Sequence, residues 1–357
     1  MKLTHFLESV EVAWLEGGNV FTGTERATDK ILRENIEPTI KEFEKNFKLA
    51  FPKVKLDFSD TEKVARLGSV GKKEVSGDID LGIDLHEFLN KDGQINFKML
   101  GLDQKEFDTT FNLIKSRAKT ASDKQIMVRS LLTLISNKIN DSQEEIHSSS
   151  KDVTTASIFS SFPQYDTNGN KIPNKYVQID LNVGPLQWLK FSYYSTGSFP
   201  GNLKGLHRTQ LIAAVFDALG MTFKHESGVF DKERNVVATT VDEVIQLFAK
   251  HGIKIKPEDI YDFDKMLDAV DKSPLKDTIY EKYLKGRLDN MRDADIPERM
   301  HDWWLENRDR IGMRGLWLPE SSKLLKRLPK EEVERLKNER EAKDAEKILK
   351  NQKKVSK

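Results

Sequence analysis

Between Glu25 and Phe47 the apolar residues Ile31, Leu32, Ile36, Ile40, Phe43 and Phe47 recur at steps near three and four. That is the period of a helix with one buried face, and Pro38 inside the stripe predicts a kink or a split. Val54-Lys55-Leu56-Asp57-Phe58 alternates and predicts a short strand, with a charge-rich stretch at 61–66 after it. Asp78 to Leu85 alternates polar and apolar without a break and is the clearest strand of the chain. A second clear strand runs from Tyr176 to Val183, with Val177, Ile179, Leu181 and Val183 on one face and Gln178, Asp180 and Asn182 on the other.

The stretch between these two strands is mainly helical from Phe88 to Lys138, where Val128, Leu131, Leu132, Leu134 and Ile135 mark one buried face. It closes on a polar, serine-rich loop over 142–155. After the second strand the pattern predicts a helix over 204–219, a hairpin within 221–240, and helices over 241–250 and 257–270. From Pro274 onward the chain reads as helical, with Trp303, Trp304 and Trp317 expected on the surface. No repeat at solenoid periods is present. The whole is an α+β chain: a small mixed sheet with helices, followed by a mostly helical region.

Its 357 residues suffice for about two domains. Composition narrows the chemistry. Cysteine is absent, which removes disulfides, thiolate nucleophiles and cysteine-based metal clusters. Lys and Arg number 58 against 57 Asp and Glu, so a net charge of +1 gives no global pull toward nucleic acid or an acidic membrane. The basic excess is local: residues 321–357 hold 13 Lys or Arg against 7 Asp or Glu. Such a run is either a solvated helix or tail, or an arm that touches phosphates. The first residues, Met1-Lys2-Leu3-Thr4-His5-Phe6-Leu7-Glu8, meet acid before an apolar core develops, so no signal peptide is expected. The longest apolar run, Leu211 to Phe216, is far short of the roughly 20 residues that cross a bilayer. A cytoplasmic protein with no membrane partner is the expectation.

Alternation puts Asp78 and Asp80 on one side of their strand, about 6.5–7 Å apart along the backbone. Two carboxylates so placed repel each other unless a hard divalent cation sits between them, as Mg²⁺ does when it takes one or two carboxylates plus substrate phosphates. Asp180 supplies a further acid on the polar face of the other strand. Three carboxylates on adjacent strands can hold two ions about 3.5–4 Å apart, the spacing that aligns an attacking oxygen with a leaving phosphate. Upstream lies a loop with glycines at 68, 71 and 77 and serines at 69 and 76. Gly68 lets backbone approach phosphate oxygens and the Ser69 hydroxyl adds a donor. No Walker A spacing fits over 62–80, which points away from ordinary ATPases.

Leu67-Gly68-Ser69, an eight-residue gap and Asp78-Ile79-Asp80-Leu81 together resemble the signature of the polymerase beta-like nucleotidyltransferase superfamily. The resemblance covers roughly residues 60–195, and Asp180 matches the position of that family's third carboxylate. It implies a nucleotidyltransferase fold, and a transferase that moves a nucleoside monophosphate from a nucleoside triphosphate, ATP among them, to an acceptor hydroxyl and releases pyrophosphate. Two Mg²⁺ or Mn²⁺ ions would be held by Asp78, Asp80 and Asp180, the last also helping to deprotonate the acceptor, while Gly68 and Ser69 hold the triphosphate. RNA or DNA, a protein, a small molecule or another nucleotide all remain open as acceptor. A nucleotide- or nucleic-acid-binding module of the same fold without turnover is the alternative. The domain division that follows is 1–200 for a catalytic domain with a helical insertion, 201–320 for a mostly helical domain and 321–357 for a charged tail.

Other residues carry two readings each. Lys72 and Ser76 in the loop, and Lys204 and Arg208 four apart on a helix, are either phosphate contacts or ordinary surface and structural residues. Tyr193 and Tyr194 are either faces for a base or core-packing rings. Asp84 continues the acidic face in a peripheral or structural role. His207 and His225 lack the spacing of a zinc site and read as structural. Gly17-Gly18-Asn19 reads as a tight turn.

Overall fold

The computed structural model describes residues 20–118, 121–142, 144–196 and 205–288, and beyond them 299–300, 303, 306–307, 329–335, 337–338, 341–342 and 345. In chain order the elements are β1 (Ile31–Leu32), α1 (Arg33–Ala50), β2 (Val64–Arg66), β3 (Val75–Ser76), β4 (Ile79–Asp84), a 3₁₀ turn (Leu85–Phe88), α2 (Phe97–Leu100), α3 (Gln104–Arg117), α4 (Asp123–Ser142), β5 (His147–Ser148), β6 (Ser157–Tyr165), β7 (Lys171–Gly184) and α5 (Leu186–Ser192). There follow α6 (Gly205–Ala218), β8 (Thr222–Lys224), β9 (Gly228–Phe230), β10 (Val236–Ala238), α7 (Val241–Lys250), α8 (Phe263–Asp271) and α9 (Lys276–Leu288). The protein is α+β.

The described residues form two compact units. One takes 20–196 together with Lys224–Val229 and Val236–Val244, so two short stretches beyond the expected boundary at 200 belong to it. The other takes 205–223, 230–235 and the described residues from 245 on. Most of 321–357 lies outside the described residues; 330–335 are helical. Gly17-Gly18-Asn19, Trp304 and Trp317 also lie outside them.

The first unit is built on a five-stranded mixed sheet in the order β2-β4-β7-β6-β5. β4 and β7 run parallel, which the helical stretch α2–α4 between them makes possible, and the other pairs are antiparallel. One face of the sheet presents Ile79, Leu81, Ile83, Val177, Ile179, Leu181 and Val183 to a core shared with α1 and α4. Ile36, Ile40, Phe43 and Phe47 are the buried stripe of α1. Phe43 meets Phe162 of β6 edge to face at 5.3 Å. α1 begins at Arg33, so Leu32 belongs to a strand and is half exposed. Pro38 does not split the helix, which runs from Arg33 to Ala50; the missing N–H leaves the Glu34 carbonyl, in the first turn, without its helical donor.

One strand expectation is corrected. Residues 54–58 pair with nothing as a strand, although Val54, Leu56 and Phe58 are all buried; alternation there reports an extended segment lying on the core. The pairing strand is β2, within the charge-rich stretch, with Arg66 Nε and Nη2 held by the two oxygens of Glu37 at 2.7 and 2.6 Å. Among the described residues no helix is long and apolar enough to cross a membrane.

In the second unit α6, α8 and α9 bury Leu211, Ile212, Phe216, Met266, Leu267, Ile279 and Leu284. Trp303, expected at the surface, is 8% exposed: its ring meets Tyr280 at 5.5 Å and its Nε1 donates to Asp277 Oδ1 at 2.7 Å. An indole that buries its rings must place its N–H on an acceptor, and a nearby aspartate provides one.

Candidate active site

The register of the parallel pair puts Asp80 of β4 directly beside Asp180 of β7. Neighbouring strands lie about 4.8 Å apart, so the two carboxylates rise side by side from one face of the sheet. Asp78 stands just before β4, which begins at Ile79. All three carboxyl groups are pushed up from their ordinary range. Burial is the first cause for each; Asp80, raised to about 8, is pushed further by Asp78, and Asp180 by both Asp80 and Asp78. The three acids therefore feel one another; Asp180 is buried, while Asp78 and Asp80 keep part of their surface exposed.

Along β7 the face that carries Asp180 is closed. Gln178, Asp180 and Asn182 are each at most 6% exposed, where alternation alone would leave them in solvent. α5 crosses the sheet so that Leu186 and Leu189 pack with Ala65, Leu67 and Tyr193. Gly82 on β4 makes that possible, because a Cβ there would stand 3.1 Å from Leu67 Cδ2 and 3.3 Å from Leu186 Cδ1. The segment 224–229 covers the end of β7: Trp188 Nε1 donates to Lys224 O at 2.9 Å and the Ser192 hydroxyl to His225 O at 2.6 Å. Glu226 O lies so near that a Cβ on Gly184 would fall 2.4 Å from it.

The glycine loop enters from β2. Leu67 N–H donates to Asp80 O at 2.9 Å and Gly68 N–H to Tyr193 O at 3.0 Å, tying the loop to the acid strand and to the chain after α5. Gly68 has φ +58°, and a Cβ there would touch Asp80 Oδ2 at 3.4 Å. Only glycine meets that conformation without cost and leaves the approach to the carboxylate open. Ser69 O accepts from Lys72 N at 3.0 Å in the turn that follows. Farther along, Arg33 Nε donates to Lys73 O at 2.9 Å and Arg33 N to Glu74 O at 2.8 Å.

The remaining sequence candidates fall as follows. Lys72 Nζ donates to Gly68 O at 3.2 Å and to Ser195 O, and stands 5.5 Å above the Tyr194 ring; burial lowers its pKa. It clips the loop to the chain after α5. Ser76 is buried in β3 opposite Ile31, and its hydroxyl has no hydrogen-bond partner among the described residues. Tyr193 packs, partly buried, against Leu67, Leu186 and Leu189 and is set edge-on to His225 at 5.3 Å. Its hydroxyl is pushed up by burial and then by Glu226, Asp80 and Asp180. Arg208, expected to face phosphate, is instead fully buried in the second unit, with Nε on Ile260 O at 2.8 Å and its guanidinium 5.2 Å from the Tyr261 ring. A helix face packed against its own core cannot offer a cation to solvent. Lys204 lies outside the described residues. His207 Nδ1 stands 3.3 Å from the Tyr283 hydroxyl in that same core. Asp84 caps the 3₁₀ turn, accepting from His86 N at 2.9 Å, which is a structural role.

Among the described residues no three His, Asp or Glu side chains stand together as a ready-made ligand set. Asp180 is held within its own strand, where Gln178 Nε2 donates to both its oxygens, at 2.9 and 3.2 Å. Gln178 and Asn182, flanking polar residues in the strand pattern, thus belong to the site, and so does Ser157 on β6, whose hydroxyl donates to Asn182 Oδ1 at 2.7 Å. The signal that they matter is a strand polar on one face yet covered on both. Compared with protein-family models and with curated proteins, the chain matches none.

Proposed function

We propose that this chain is a metal-dependent nucleotidyltransferase with the fold of the polymerase beta-like superfamily, transferring a nucleoside monophosphate from a nucleoside triphosphate to an acceptor hydroxyl. One observation carries the reading: Asp80 and Asp180, far apart in sequence, are register partners on parallel strands, with Gly68 of the Gly-Ser loop against the Asp80 carboxylate. A structural sheet gains nothing from gathering buried acids, because each costs desolvation and mutual repulsion.

The donors suit Mg²⁺ or Mn²⁺. They are hard carboxylate oxygens, raised by burial and by one another, which is the condition a divalent ion relieves. Asp78, Asp80 and Asp180 would hold the ions, which when bound supply charge neutralisation for the triphosphate and the leaving group. The chain's own part is to seat and orient. Gly68 lets the backbone come close to the triphosphate end and the Ser69 hydroxyl adds a donor, while α5 and 224–229 cover the strand that carries Asp180. In the transfer the acceptor oxygen bonds to the α-phosphorus as the bond to the oxygen bridging the β-phosphate breaks. The hydroxyl proton passes to Asp180 and pyrophosphate leaves. RNA and DNA ends are among the acceptors to supply.

The test is incubation of the full chain with each labelled nucleoside triphosphate and Mg²⁺ or Mn²⁺, with and without RNA, DNA and protein acceptors, beside Asp78→Ala plus Asp80→Ala. Label transfer or pyrophosphate release that disappears in the double variant is the expected result. Metal-dependent triphosphate binding with no turnover under any acceptor moves the reading to a silent binding module. Absence of any binding sinks it.

A further inference from the structure

Gln178 and Asp180 lie two apart on the polar face of β7, and both are buried, at 2% and 6% exposed. Gln178 Nε2 stands 2.9 Å from Asp180 Oδ1 and 3.2 Å from Oδ2 and donates to both. A donor almost equally far from the two oxygens, and aligned on each, stands in the mouth of the carboxylate. A divalent ion held through both oxygens takes that same place. An amide NH₂ has donors only and carries the positive end of the amide dipole, so it repels a cation from the position it fills.

The amide is also held from its other end. Gln178 Oε1 accepts from Val20 N–H at 2.9 Å, across 158 residues of sequence. A carboxamide has one accepting and one donating end, so an N–H fixed on the oxygen keeps the NH₂ on the carboxylate. Flipped, the NH₂ would face a main-chain N–H, which cannot accept, and the oxygen would face Asp180. The acids of β4 stand differently. Asp78 and Asp80 keep part of their surface exposed, and Asp80 is the register partner of Asp180.

We propose that Gln178 is a displaceable plug: its amide fills the cation position at Asp180, Val20 N–H holds it there, and a divalent ion taken up by Asp78 and Asp80 gains Asp180 only as the amide swings out of the carboxylate mouth. The inference rests on reading the three aspartates as cation ligands. It also fixes a sign. A partner that supports a metal ligand weakens the site by about 10–100-fold when it is removed, whereas removal of a plug tightens it.

Mn²⁺ titration of the full chain, read as loss of the free-ion electron paramagnetic resonance signal, tests that sign with Gln178→Leu and Val20→Pro, each also melted in chelator to check cooperative unfolding. A hydrogen bond to a charged group is worth roughly tenfold or more in an equilibrium, so Gln178→Leu is expected to bind Mn²⁺ about tenfold more tightly. Val20→Pro removes only the N–H that pins the amide, and its expected gain is smaller, about twofold to fivefold. Affinity unchanged or weakened in Gln178→Leu, with wild type binding Mn²⁺, overturns the plug and leaves the proposed function standing. Affinity unchanged in a cooperatively melting Val20→Pro overturns the part given to Val20. If Gln178→Leu loses its cooperative transition, a crystal structure of wild type with Mn²⁺ bound decides: Gln178 Nε2 withdrawn from the Asp180 oxygens supports the plug, and Nε2 still on both overturns it. Wild type that binds no Mn²⁺ overturns the plug and the proposed function together.

Discussion

The two faces of β7 are equally dry and oppositely furnished. Val177, Ile179, Leu181 and Val183 on one side and Gln178, Asp180 and Asn182 on the other are all at most 6% exposed. The apolar face gains about 25 cal/mol per Å² removed from water and has nothing left to satisfy. On the polar face each amide needs a partner at both ends, and the carboxyls respond to burial by holding their protons to higher pH. One face of the strand holds the fold together; the other draws on that stability to keep acids where water is scarce.

The largest effect should come from the stabilising side. Leu181→Ala opens a cavity between β7 and the helices behind it, and a buried leucine lost in this way costs about 2–5 kcal/mol. Denaturant unfolding of the variant should show the midpoint falling with the slope unchanged. A loss below about 1 kcal/mol would mean that the apolar face can collapse and that the contrast is overstated.

The polar side should respond with the opposite sign. Asp80 in the folded chain holds its proton up to about pH 8, against 3.8 for an ordinary aspartate. Between those values the folded state binds more protons than the unfolded one, so stability falls as pH rises through the window and levels off above it. Asp80→Asn removes the charge and keeps the shape. In chelator at pH 8 it should therefore melt above wild type, at pH 4 near it, while losing turnover. A gain on the order of 1 kcal/mol corresponds to roughly 2–4 °C in a unit of this size. A variant less stable than wild type at pH 8 would show that the carboxylate is paired in the metal-free protein, and would erase the distinction between the faces.

How much of this was legible in sequence follows from what each feature depends on. β4 and β7 could be read because their alternation is local, and the Gly-Ser loop with Asp78 and Asp80 because its members lie within a dozen residues. β6 carried no period: Ser157–Tyr165 is buried on both faces, so small polar and aromatic residues follow one another without alternation. β2 is three residues long in a charged setting, and 54–58 alternated without a partner strand. Arg208 looked like a surface cation because charge suggests exposure, whereas its helix packs that side inward. The orientation of Gln178 and Asn182 was beyond reach, since it is set by Val20 and by Ser157 on another strand.

The smallest effect separates two roles for Lys72. Its ammonium group bonds Gly68 O and Ser195 O across the join between the glycine loop and the chain after α5, and burial lowers its pKa. If the clip is its function, Lys72→Met should cost about 0.5–1.5 kcal/mol, the net worth of an ordinary hydrogen bond. Triphosphate affinity, read by equilibrium dialysis in Mn²⁺, should then stay within about twofold. If the ammonium leaves both carbonyls when a triphosphate arrives, the pattern inverts. Melting barely moves, because an exposed arm on the surface contributes little, while triphosphate binding weakens about tenfold or more through the loss of a charge-assisted contact. The first pattern makes Lys72 part of the stabilising half of the molecule, and the second returns it to the acid face it overhangs.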